Sequence, residues 1–397
     1  MWKKSDLLNM TIFVISPFMA IPTILLGIIN KSKFSLQLLV LLFGVVSYIY
    51  IPNLSDDRAR YFEFYRDFSD SSFLELFGYL MLTGQDFILQ CMFYFASQIS
   101  LPAQYVFAFT TIITMSLIFS VYYKITKNQG VTTVELRSFS FLILCCSIPY
   151  IDLLSGTRFM FAASFVLMGF YMGLVERKFF SLLLLLVAAF IHFSTLVFIP
   201  IFIVLFVFPN NDKFYKIVFL ISLLFMLIPQ EVINSIFNTF GFSGGLGAKK
   251  EAYLEGEDFV KKALEESYLS RIGNFLNLLW IFGNYFYLIL TNNRNDVLRR
   301  MVLFTATVIN VFYSVPTVFF RYAIILKFLF VFVLIFDLYK YKKKLPAYGF
   351  VAILSCLWFL QVIGGLPNIV STFSKKENFF LASILADAPM SEKDFLE

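Results

Sequence analysis

Apolar residues run along the chain in blocks of about 17–25, separated by short polar clusters that are mostly basic. At 1.5 Å per residue, a helix of that length crosses a hydrocarbon core of ~30 Å. Inside a bilayer an unpaired backbone amide costs several kcal/mol, so only helices and closed barrels survive there. Barrel strands would alternate polar and apolar positions. The stretch from Phe179 to Phe190 does not alternate, so the pattern predicts helices. Spans are expected at 11–29, 34–52, 104–123, 138–154, 156–175, 179–191, 194–208, 214–229, 272–291, 301–320, 323–339 and 347–364. The segment 87–101 is apolar but short, as a re-entrant or interfacial helix would be. The fold class expected is all-α: one polytopic integral membrane domain over 1–397, with about eleven to twelve transmembrane helices. No soluble domain, internal repeat or low-complexity linker stands out.

One joint decides the topology. The run 179–208 is nearly unbroken, and as a single helix it would be about 45 Å long. Splitting it at His192 leaves every cluster of loop cations on one side. These clusters are Lys31 and Lys33; Lys124, Lys127 and Arg137; Arg177 and Lys178; Lys213 and Lys216; Arg294, Arg299 and Arg300; and Lys340, Lys342, Lys343 and Lys344. Basic loops stay cytoplasmic, which puts the N-terminus outside, although Lys3 and Lys4 run against that. A single tilted helix would send the last cluster outward. Two larger loops then face outward: 53–103, with interfacial helices, and 230–271, with an amphipathic lid. A C-terminal tail covers 365–397.

Composition narrows the function. Of 397 residues, 59% are apolar and 15% charged, against about a quarter charged in soluble domains. The net charge of +6 sits beside apolar segments, where it sets topology, so nucleic acid is not an expected partner. Cys91, Cys145, Cys146 and Cys356 lie in apolar stretches without CxxC or Cys/His spacing, so neither a metal nor a disulfide framework is expected. No acidic cluster resembles a metal site. The glycine-rich stretch Gly241 to Gly247 lacks the Gly-Lys-Ser/Thr ending of a phosphate-binding loop and reads as a hinge. No cofactor is expected. No small-residue cleavage motif follows the block Thr11 to Ile29, so no cleavable signal peptide is expected.

Cations at helix ends are the candidate chemistry. Arg158 opens a span, Arg321 sits at the expected turn between the tenth and eleventh spans, and Lys327 follows six residues later, about 9 Å deeper. A cation at membrane depth costs about 2.5–3.5 kcal/mol on insertion scales, so it faces a polar cavity or a partner unless it snorkels to headgroups. Asp152 is placed to pair with Arg158. In the first outer loop, Tyr61, Phe64, Tyr65 and Phe68 recur at helical spacing after Asp56 and Asp57, which suit a helix N-terminus. This reads as an interfacial helix, either a plain anchor or one that turns Arg58 and Arg60 toward a phosphate or sugar while Asp57 accepts a proton. The segment Glu251 to Ser267 has Val260, Leu264 and Tyr268 on one face, with Arg271 at its end, and reads as a lid or an ordinary surface helix. His192, the only histidine, falls near an outer helix end. It is either a structural hydrogen-bonding group or part of the site.

Three stretches together resemble bacterial polysaccharide polymerases of the EpsG and O-antigen polymerase (Wzy) type. They are Asp57-x3-Tyr61-x3-Tyr65, then Ser155-Gly156-Thr157-Arg158-Phe159-Met160-Phe161-Ala162-Ala163, then Phe190-x-His192-x-Ser194-x-Leu196. The first departs from the family's frequent Gly-x-Asp-Tyr, with Ser55-Asp56-Asp57-Arg58 in its place. The resemblance implies an enzyme of the bacterial inner membrane that joins oligosaccharide repeat units carried on undecaprenyl pyrophosphate, as in lipopolysaccharide assembly. Its active site would face the periplasm or exterior. The growing glycan would pass from its lipid pyrophosphate to a sugar hydroxyl of the next unit. Implied partners are the lipid-linked oligosaccharides, membrane lipids, a chain-length regulator and a flippase. On this reading Arg158, Arg321 and Lys327 take the pyrophosphate, His192 or Asp57 is the general base, and Tyr61, Tyr65 and Tyr322 line the sugar path, with Arg58, Arg60 and Arg271 as further contacts. Competing readings are a ligase-type glycan transferase, a lipid-linked oligosaccharide flippase, a membrane O-acyltransferase and a solute transporter. A flippase should show two similar halves, and none is visible in the sequence.

Overall fold

The computed structural model describes residues 4–83, 87–127, 133–209, 211–239, 259–291, 296–342, 344–374 and 376–396. The glycine-rich stretch 241–247, the first half of the expected lid (251–258) and the loop cations Lys3, Arg294 and Lys343 lie outside the described residues. Among the described residues helix follows helix, and the β contact is one isolated bridge between Asn53 and Leu396. The fold is an all-α polytopic membrane bundle, as the apolar blocks predict. Among the described residues, five helices are long and apolar enough to cross a membrane: Ala103–Lys127, Thr157–Val175, Tyr268–Leu290, Pro316–Tyr341 and Pro346–Gly364. Other apolar helices, among them Lys33–Ile49 and Ser181–Ile191, are shorter.

Local chemistry sets the ends. Ser32, Thr133, Ser267 and Asp296 cap helices by accepting the backbone N–H of Ser35 at 3.1 Å, Leu136 at 3.3 Å, Ser270 at 3.3 Å and Arg299 at 2.9 Å. Prolines break several expected spans. The first divides into Lys4–Ile15 and Ile21–Ile29 around Ser16 and Pro17. The fourth divides into Val134–Ser147 and the short helix Tyr150–Leu154 at Pro149, which has no N–H to continue the ladder. Pro316, at the first turn of its helix, moves the turn between the tenth and eleventh spans back to 311–315. Arg321 therefore lies inside a helix and not at a turn.

The joint at His192 is a break. Ser181–Ile191 stops there, His192 is extended (φ −153°, ψ 108°), and a 3-10 segment Phe193–Val197 leads into Phe198–Val207. The two helices double back on each other. A Cβ on Gly173 would stand 2.4 Å from Ser181 Oγ and 2.3 Å from the Phe202 ring, so both flank one point that only glycine can occupy.

The Pro316–Tyr341 helix is the axis of the bundle. Every residue from Ile325 to Ile335 is buried, as in a helix that is apolar all round. Asp337 within it meets Arg299 and the Tyr287 hydroxyl. The basic loops collect at this end of the bundle: Lys124 and Lys178 each reach Glu176 at 2.7 Å, Lys344 reaches Glu135 at 2.9 Å, Arg300 reaches Asp212 at 3.0 Å, and Arg137 donates to the Ile29 carbonyl at 2.8 Å.

At the opposite end the outer segments pack on the bundle. The aromatic stripe of the helix Asp57–Asp67 makes protein contacts. Tyr61 stacks on Phe93 at 5.2 Å and Tyr65 donates to the Leu101 carbonyl at 3.0 Å, so the stripe packs on protein. The tail is also anchored. Asn368 donates to the Ile51 carbonyl at 3.0 Å, Thr372 accepts from Ile51 N at 3.2 Å, and Leu396 exchanges backbone bonds with Pro52 and Leu54.

Arg299 and Asp337 are 4% and 2% exposed. Breaking a buried pair costs about 3–5 kcal/mol where the remaining charge is left alone. Arg299 keeps Asp296 at 3.1 Å, so we expect Asp337→Ala to lower the unfolding temperature in detergent measurably but by less than that full cost. An Asp337→Ala protein that melts like the parent would show that the pair does not stabilise this end.

Candidate functional site

The end of the bundle away from the basic loops contains a cavity of about 280 Å³. Among the described residues, five charged or titratable side chains reach it: Asp57, Asp152, His192, Arg321 and Lys327. Each arrives by a different local device. Asp57 is the first residue of the helix Asp57–Asp67 and is about one-third exposed, in an ion pair with Arg60 at 3.4 Å. Asp152 stands on the short helix after Pro149, whose first N–H is held by Gln361 Oε1 at 2.9 Å. Arg321 and Lys327 come from the first turns of the central helix, and Lys327 is only 9% exposed. Both of these cations act electrostatically on Asp152. The expected pairing of Asp152 with Arg158 is therefore corrected: its charge partners are on the central helix.

His192 is 2% exposed and occupies the break between two helices. Its Nδ1 accepts the backbone N–H of Ser194 at 3.3 Å and lies 3.0 Å from Ser194 Oγ. A backbone amide can only donate, so Nδ1 carries a lone pair and the ring proton sits on Nε2. In that state His192 offers a donor. To act as a base it would take up a proton at Nδ1 and lose the bond that ends the turn. Phe159 stands between the histidine and the arginine: its ring is 5.6 Å from the imidazole, edge to face, and 5.9 Å from the Arg321 guanidinium. Tyr322 ties the same turn to the central helix by donating to the Ser194 carbonyl at 3.0 Å.

The cavity thus joins Asp57, His192, Arg321 and Lys327 from the expected set and leaves the others outside. Arg158 lies between two wall residues, Gly156 and Phe159, but its guanidinium stands over the Tyr61 ring at 5.9 Å. Arg58 is fully buried. It donates to the Ser47 carbonyl, to Ser47 Oγ at 3.3 Å and to the Leu154 carbonyl at 3.2 Å, with its guanidinium 4.1 Å from the Phe107 ring. Burial pushes its pKa down to about 9, with Tyr50 and Asp56 opposing the fall, so it stays charged at neutral pH. It cannot face a ligand; it pins the helix that presents Asp57. Arg60 points outward, Arg271 is exposed over Tyr268 at 5.7 Å, and Tyr61, Tyr65 and Tyr322 are packing residues rather than lining. The short helix Phe259–Glu266 does reach the cavity, through Val260, whose N–H donates to Thr317 Oγ1 at 3.4 Å.

Sequence reading treated Asp152 only as a partner for Arg158. The signal was present, since an ionisable residue in an apolar block is a functional candidate by default. Gln361, Asn277 and Trp280, which also line the cavity, carried no such signal. The described residues include no group of three or more His, Cys, Asp or Glu side chains able to hold a metal.

A helical membrane bundle with a charged cavity at one end defines the class. The family model of the EpsG family matches residues 34–370, most of the chain, and the chain belongs to that family. No curated protein and no solved structure matches it. Family membership supports a polysaccharide-polymerase-like function, of glycosyltransferase type, in a membrane protein.

Arg58 joins three segments through two carbonyls. A lysine presents one point charge where the guanidinium presents a planar fork. We expect Arg58→Lys and Arg58→Ala each to destabilise the protein by about 1–3 kcal/mol, the cost of leaving buried acceptors unmet. Thermal unfolding of both variants at parental levels would disprove that role.

Proposed function

We propose that this protein polymerises oligosaccharide repeat units carried on undecaprenyl pyrophosphate, at the outer face of a bacterial cytoplasmic membrane. The observation that carries the reading is the meeting of Arg321 and Lys327 with Asp57 in one cavity of an EpsG-family chain. The donor's leaving group is a lipid diphosphate. Cations fixed where its charge develops lower the barrier by a few kcal/mol each, and more in a site that excludes water. Arg321 supplies a fork for phosphate oxygens and Lys327 a deeper point charge.

The reaction needs a base for the acceptor hydroxyl as the anomeric carbon leaves the pyrophosphate oxygen. Asp57 takes that proton, and the new glycosidic bond forms as the lipid pyrophosphate departs with the bonding pair. His192, protonated on Nε2, donates a hydrogen bond to a phosphate or sugar oxygen. Asp152 balances the two cations before substrate enters. Val260 lies on the helix that closes one side, consistent with a lid. A chain-length regulator and a flippase are the working partners of this reading.

Deletion of the gene should collapse the surface polysaccharide ladder to a single-repeat band. We expect Arg321→Ala, Lys327→Met and Asp57→Asn each to cut long-chain polymer by about 100-fold or more at unchanged protein level. Normal ladders in Arg321→Ala and Lys327→Met would sink the pyrophosphate assignment. A flippase would instead accumulate units on the inner side. Sidedness is separable: in a cysteine-free background, cysteines at Asp70 and Ser155 should react with an impermeant thiol reagent in intact cells, and cysteines at Lys31 and Lys344 should not. The reverse pattern would overturn the outward orientation.

A further inference from the structure

A second cavity, of about 200 Å³, lies at the other end of the bundle. Four cations line it: Lys31, Lys33, Lys127 and Arg137. They come from separate places in the chain: the turn before the helix Lys33–Ile49, the end of Ala103–Lys127 and the start of Val134–Ser147. Among the described residues no carboxylate lines this cavity. Among the described residues no acid forms an ion pair with Lys31, Lys33 or Lys127. Lys33 instead stands over the Tyr123 ring at 5.3 Å. The loop that carries the first two cations is held in shape. Lys31 has a left-handed backbone (φ 63°), the region that favours glycine, and Ser32 Oγ donates to Asp6 at 2.7 Å while accepting the Ser35 N–H.

The cavity is amphipathic. Ile28, Ile29, Leu36 and Phe141 form an apolar side. Tyr122 and Tyr339 form a polar floor, joined through Ser140 by hydroxyl contacts of 2.9 and 3.0 Å. Tyr339 belongs to the central helix, twelve residues beyond Lys327, or about 18 Å along the axis. The two cavities are therefore distinct.

Loop cations that serve topology alone need only be near the surface. These four converge on one hollow with an apolar wall, the arrangement that takes a phosphate headgroup with its chains along the helices. We propose that this cavity binds a phosphate-bearing anion, held as the headgroup of an anionic phospholipid. The proposal does not depend on the polymerase reading.

The test uses the full chain purified in neutral detergent, with thermal unfolding followed during titration by short-chain phosphatidylglycerol, short-chain phosphatidylcholine and inorganic phosphate. Phosphatidylglycerol is expected to stabilise the protein saturably, and phosphatidylcholine much less. The double variant Lys31→Gln/Lys127→Gln should weaken the phosphatidylglycerol affinity on the order of tenfold, because each near-surface cation contributes separately. Both lysines are exposed, so this variant keeps the fold, and Lys33→Gln provides an independent second test. If inorganic phosphate alone stabilises, with the same loss in the variants, the phosphate site stands and its source is soluble. Affinity for phosphatidylglycerol unchanged in both variants, or equal affinity for phosphatidylcholine, would overturn the proposal.

Discussion

A helix that is apolar on every side must be buried in protein or lipid, and whatever charge it carries must be met there. The Pro316–Tyr341 helix obeys both conditions. Toward one end Asp337 is met by Arg299 and Tyr287. Toward the other, Arg321 and Lys327 act on Asp152 across a cavity. Between them lies an unbroken buried stretch that other helices pack against. The two charged groups therefore cannot shift along the axis without stranding an ion in a medium where that costs several kcal/mol. The positions of the cavity cations follow from that constraint.

The rest of the site is assembled around those cations by breaks in helices. Pro149 ends one ladder so that a five-residue helix can carry Asp152. His192 interrupts another, and its own ring satisfies the amide that the interruption frees. Asp57 opens a helix whose next residue, Arg58, binds the carbonyls of Ser47 and Leu154. Each functional side chain is thus adjacent to a packing device. Such placement suits chemistry that depends on preorganised charge, because the groups need not reorganise when charge develops on the leaving group.

Arg58 and Arg158 illustrate how residue type alone misleads. Both are arginines beside a span at the site end, and either would suit a phosphate. Arg58 is fully enclosed, against Phe107, and Arg158 stands over Tyr61. Arginine's planar, weakly hydrated guanidinium is the cation best able to pack on aromatic rings, so its presence near a site does not define its role. Lys327 and Asp152 offer no such alternative in an apolar block, and both line the cavity.

Much was legible in the sequence because it follows from the solvent. Block length, the lack of alternation and the clustering of loop cations reflect the thickness and dielectric of a bilayer, which act on each segment separately. The helical membrane class and the break at His192 lie at that level, while the family resemblance rests on three short stretches of particular residues. What the sequence could not show was set by contacts between segments far apart in the chain. These include the partner of Asp152, the burial of Arg58, the docking of Asn368, Thr372 and Leu396 onto Ile51 to Leu54, and the convergence of Lys31, Lys127 and Arg137 on one hollow. No local periodicity encodes which helix faces which. That choice is made by side-chain packing and by the need to satisfy each buried charge, so only the tertiary structure decided it.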